Sequence, residues 1–126
     1  MTEQYLWLLE GNNYSKQLNR LEKKLKNKRV VIYGIGEFFQ TIMSHYDLSK
    51  LNIVALSDRN ISEQGSFLGY KTCSPSNILE YKPDYILVGT FNYINVIEYL
   101  ESQYPDVKIF PLMKKSAGQI WKEVWS

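Results

Sequence analysis

Four short apolar runs constrain this chain more than anything else in its sequence. They are Val30-Val31-Ile32-Tyr33, Ile53-Val54-Ala55-Leu56-Ser57, Tyr85-Ile86-Leu87-Val88-Gly89 and Val107-Lys108-Ile109-Phe110. The first three show no polar alternation, as expected of strands covered on both faces. Helix-length segments separate them: Glu37 to about Tyr46 after the first, and Asn92 to Gln103 after the third, with Val96, Ile97 and Leu100 on one side. Strand and helix in alternation imply a parallel sheet with right-handed crossovers. The expected fold is therefore α/β, a short doubly wound sheet of about five strands in the order 3-2-1-4-5. Strand 3 is the brief extended piece Tyr70-Lys71-Thr72. Ser74-Pro75-Ser76 reads as a helix start, with Ser74 as cap and proline in the first turn.

Before the first strand, residues 2–10 are apolar and helix-prone, and Gly11-Asn12-Asn13 breaks them. A second helix is expected from Tyr14 to about Asn27, with Tyr14, Leu18, Leu21 and Leu25 on one face. Arg20, Lys23, Lys24, Lys26 and Lys28 lie elsewhere on it, either as a solvated face or as an anion-attracting or partner-binding patch. The tail from Met113 to Trp125 reads as a last helix, with Ile120, Trp121, Val124 and Trp125 on one side. The expected division is a helical extension over 1–27 and an α/β domain over 28–126. The extension either covers one face of the sheet or makes a dimer.

The 126 residues suit one domain, and a net charge of +2 gives no argument for nucleic acid. No apolar run approaches the roughly 20 residues that cross a bilayer. Met1 to Glu10 lacks the basic start of a signal peptide. Cys73 is the only cysteine, so no internal disulfide forms, and a cytoplasmic location is the default expectation.

The first strand runs into a helix through Gly34 and Gly36. In such a turn one glycine permits the sharp bend and the other lets a phosphate approach the backbone, facing the N–H groups of the helix that follows. Asp58 ends the second strand, 22 residues after Gly36, where a carboxylate would hold ribose hydroxyls. Phe39 stands where the third glycine of G-x-G-x-x-G would let helix and strand pack closely. Glu37 sits at the helix start, where it would repel an anion or favour the helix dipole. Across the point where strand order reverses lie Gly89, Thr90, Phe91 and Asn92. Thr90 or Asn92 could cap the next helix, and Phe91 and Asn92 could wall a base or sugar. Arg59 reads either as a surface residue, the favoured reading, or as one that meets a phosphate. The candidate ligand-binding residues are thus Gly34, Gly36, Glu37, Phe38, Asp58, Arg59, Gly89 and Thr90. The opposing reading is that the glycines only make the turn, Asp58 only holds a loop, and Phe38 or Phe39 fills the cleft.

The segments "VVIYGIGEFFQTI", "IVALSD", "GSFLGYKTCSPSNI" and "PDYILVGT" together resemble the small Rossmann-like domain of polysaccharide-biosynthesis proteins. That domain stands at the N-terminus of sugar O-acyltransferases and the C-terminus of some sugar methyltransferases. The resemblance spans about Lys28 to Leu112 and implies NAD(P) or nucleotide-sugar binding, or a scaffold role. By position, Gly34, Gly36 and Asp58 match its binding turn. No complete catalytic constellation accompanies them. His45, the only histidine, lies nine residues beyond Gly36 on an outgoing helix, on the order of 13 Å away. No cluster has metal-ligand spacing. The reading is a stand-alone nucleotide or nucleotide-sugar module. The alternative is a non-catalytic scaffold that meets a partner or a second copy through its terminal helices.

Overall fold

The computed structural model describes residues 2–115. Six strands form one sheet: β1 (Arg29–Tyr33), β2 (Asn52–Ser57), β3 (Gly65–Phe67), β4 (Tyr70–Cys73), β5 (Tyr85–Val88) and β6 (Lys108–Pro111). Their order is β3-β4-β2-β1-β5-β6. The last five positions are the expected 3-2-1-4-5 arrangement, and all of their pairings are parallel. The sixth strand, β3, was not expected. It pairs antiparallel with β4 across the turn Leu68-Gly69.

Helices cover both faces, which gives three layers. One face carries α1 (Thr2–Gly11), α2 (Tyr14–Lys24) and α3 (Glu37–His45). Leu9, Tyr14, Leu18, Leu25, Phe39 and Ile42 pack there with Val30, Ile32, Leu56 and Leu87. The other face carries α4 (Ile94–Gln103) and a 3₁₀ helix, Pro75–Tyr81. Ile78 and Leu100 pack there with Val31, Tyr33, Ile86 and Val88. The alternation along β1 is the two-residue period of a pleated strand. In β2 this period breaks: Ile53 and Leu56, three apart, share a face. The register explains it, since Val30 pairs Ile53 while Val31 pairs Ala55, leaving Val54 as an extra residue in a bulge.

The N-terminal helices are thus built into the core of the sheet. The expected cap at Ser74 does not form through its side chain; its hydroxyl meets the Ser76 hydroxyl at 2.9 Å. Its carbonyl instead accepts the Asn77 N–H at 3.0 Å, and the segment winds as 3₁₀ helix. Neither Thr90 nor Asn92 caps α4, whose N-cap position is Tyr93. Met113, Lys114 and Lys115 are not helical, and the remainder of the expected tail helix lies outside the described residues. Among the described residues no helix is long and apolar enough to cross a membrane.

Candidate functional site

Strand order reverses between β1 and β5, and the chain opens there into a cleft of about 880 Å³. Ligands of open parallel sheets sit at such a point, beyond the carboxyl ends of the strands. Gly34 turns the chain out of β1 with φ +95°, a conformation L side chains rarely adopt. A Cβ on it would also lie 2.7 Å from the Thr90 methyl group. Gly36 is different. It occupies the N-cap of α3 in extended conformation, and a Cβ on it would meet nothing within 4 Å. Its place is open space on the wall of the cleft. No side chain caps α3, so its first N–H groups have no partner of that kind.

Phe39 is fully buried in the core and is not part of the cleft wall. The close approach that a third glycine would permit occurs instead at Gly89. A Cβ there would stand 3.3 Å from Phe39 Cβ and 2.4 Å from the Gly34 carbonyl oxygen. The missing glycine of the motif is therefore replaced by one just past the end of the neighbouring strand β5. Phe38 also turns away from the cleft. It is buried edge-on between Tyr5 of α1 (centroids 5.1 Å apart) and Phe91 (5.4 Å). Tyr5 and Phe91 themselves form the wall that Phe38 backs.

Asp58 reaches the turn from the end of β2. One carboxylate oxygen accepts the Ile35 N–H at 3.0 Å, and the other accepts the Asn60 N–H at 3.0 Å. The carboxylate thus fixes the bend between the two glycines. It keeps further lone pairs, since a carboxylate offers about four acceptor sites. Arg59 and Thr90 also line the cleft. The Thr90 hydroxyl is buried and has no hydrogen-bond partner among the described residues. The Tyr33 phenol borders the same space, pushed above its ordinary range by burial first and by Asp58 second.

Of the eight candidate residues, the fold brings Gly34, Gly36, Asp58, Arg59 and Thr90 together around the cleft. Glu37, Phe38 and Gly89 are not among the described lining residues. Glu37 is exposed in the first turn of α3, Phe38 supports the aromatic wall, and Gly89 makes room for Phe39. Sequence reasoning missed Tyr5, Asn60, Asn95, Val96 and Tyr99. The α4 residues were readable from the helix that follows β5. Tyr5 carried no signal, because nothing in the first ten residues shows that α1 crosses over α3. His45 ends α3 with Nδ1 3.0 Å from the Thr41 carbonyl oxygen. Cys73 is buried in β4, and burial pushes its thiol up.

The sheet, the glycine turn and the acid at the end of β2 define a Rossmann-like α/β domain. Within that class, the family model described as C2185-like, N-terminal matches residues 26–110, and the chain belongs to that family. The match begins as α2 ends, so Tyr5 and the rest of α1 lie outside it. No curated protein and no solved structure matches the chain.

Proposed function

We propose that this protein is a nucleotide-binding module whose ligand is a nucleotide or nucleotide-sugar, with NAD(P) in the same class. The observation that carries the reading is the empty position at Gly36: the turn is uncapped, open and free of both Phe38 and Phe39. A phosphate would take the first N–H groups of α3. Ribose hydroxyls would donate to the remaining lone pairs of Asp58, and the orphaned Thr90 hydroxyl would gain a partner. Tyr5, Phe91 and Tyr99 offer ring faces for a base or sugar. The likeness of four segments to domains of polysaccharide-biosynthesis proteins supports a place in surface-polysaccharide assembly, and the single cysteine supports a cytoplasmic setting.

A thermal-shift panel of NAD, NADP, coenzyme A, S-adenosylmethionine and nucleotide-sugars tests this. A ligand at about 100 times its Kd adds roughly 2.7 kcal/mol of stability. Gly36→Asp is the control. Asp is favoured at an N-cap, so the variant folds while its carboxylate occupies the phosphate position. A shift present in the wild type and lost in Gly36→Asp supports the reading; no shift from any compound rejects it. A second reading, a protein-interaction module, is favoured by Trp7, which is 80% exposed on α1. Sedimentation of the wild type and Trp7→Ala checks self-association: a dimer lost in the variant supports this second reading, and a wild-type monomer removes that form of it.

A further inference from the structure

A second hollow lies away from the glycine turn, between α2 and the segment that follows β6. It has a volume of about 710 Å³. Its described lining carries four cations, Arg20, Lys24, Lys114 and Lys115, and no carboxylate. Phe110 and neighbouring aliphatic groups give it an apolar floor. The two walls are fastened together. Gln17 of α2 donates from Nε2 to the Lys114 carbonyl at 2.8 Å, and its Oε1 accepts the Lys114 N–H at 2.8 Å. The charges are also placed. Lys24 Nζ stands 4.3 Å above the Phe110 ring. Lys115, only 6% exposed, donates from Nζ to Asn92 Oδ1 at 3.4 Å and sets the charge 4.1 Å over the Phe91 ring, so it is already engaged on the side of the glycine-turn cleft. Arg20 makes no hydrogen bond or ion pair among the described residues, so its planar fork of five donors is unspent.

We propose that this groove is an anion site for a phosphate-bearing small molecule. Several cations around one hollow repel one another, and a multiply charged anion removes that cost. The guanidinium fork suits the oxygen pair of a phosphate, and lysine ammoniums meet it as point charges. The floor takes the organic body, with the Lys24–Phe110 contact opening to admit it. A singly charged carboxylate would meet only one of the three exposed cations, Arg20, Lys24 and Lys114. The site is separate from the glycine turn and does not depend on what binds there.

Titration calorimetry with inorganic pyrophosphate on the full chain tests the proposal at low and moderate salt. Saturable binding is expected, weakening as salt rises. Arg20→Ala combined with Lys24→Ala, both exposed positions, should weaken it at least tenfold. Lys16→Ala combined with Lys23→Ala removes the same charge from α2 outside the groove and should change it less than twofold. Gly36→Asp should leave it intact. Absence of saturation overturns the proposal, as do equal losses in both double variants. Loss in Gly36→Asp would place the anion at the turn instead, which overturns this inference while supporting the nucleotide reading.

Discussion

Gly89 shows how one missing side chain sets the geometry of the site. Its backbone lies so close to the Gly34 carbonyl that a Cβ would sit at 2.4 Å, against backbone that cannot swing aside. Gly89→Ala is expected to destabilise the fold by about 3 kcal/mol, the upper end for overpacking, read from urea unfolding. Gly36→Ala, where nothing lies within 4 Å, should cost no more than about 1 kcal/mol as a poorer N-cap. Equal costs at the two glycines would show that they do not play these separate roles. This pair also marks the limit of reading the site from sequence. The motif places Gly34, Gly36 and Asp58 because backbone turns and strand ends obey local rules. It treats Phe39 as a defect, because the residue that accommodates it is 50 positions away, just past the end of β5.

At the scale of elements, strand and helix order were readable because buried parallel strands are continuous apolar runs. The β3–β4 hairpin was not. Its turn is Leu68-Gly69, with φ of +51° and +84°, and Phe67 pairs with Tyr70 on either side. Positive φ at both central residues is the type I′ pattern, which Asn-Gly announces and Leu-Gly conceals. Leu68 is exposed there, so its side chain gains little from burial while its backbone is strained. Leu68→Asn is therefore expected to stabilise the protein by roughly 0.5–1 kcal/mol, since asparagine tolerates this conformation. A lower denaturation midpoint in Leu68→Asn would show that the leucine contributes packing that outweighs the strain. The same limit applies to α1. Its helical character is local and was legible, but its crossing over α3, which brings Tyr5 to the cleft, is tertiary and left no pattern in the first ten residues.

For the molecule as a whole, four of the ten tyrosines create a dependence on alkaline pH. Tyr14, Tyr33, Tyr46 and Tyr104 all have phenols raised above the ordinary value, with burial the largest cause in each. Tyr14 is raised furthest. It is fully buried, and its ring meets Tyr46 edge-on at 4.9 Å. A group that ionises less readily when folded favours the native state as long as it stays neutral. Its contribution is complete below the unfolded value of about 10 and is lost as pH rises through the folded value. The melting temperature should therefore fall from about pH 9.5 upward as unfolded tyrosines ionise. The informative comparison is with Tyr14→Phe, which removes the phenol raised furthest. The Tyr14 hydroxyl has no hydrogen-bond partner among the described residues. Removing it should raise stability near neutral pH by about 1 kcal/mol, the desolvation cost of an unsatisfied polar group. It should also flatten the alkaline decline, because the phenol that resists ionisation most has been removed. Melting curves of the two proteins by circular dichroism between pH 7 and 11 decide it. Diverging curves, with the variant higher and the gap widening above pH 10, are expected. Parallel curves would mean that Tyr14 reaches solvent in the native state, and that the α2 layer opens without unfolding the sheet.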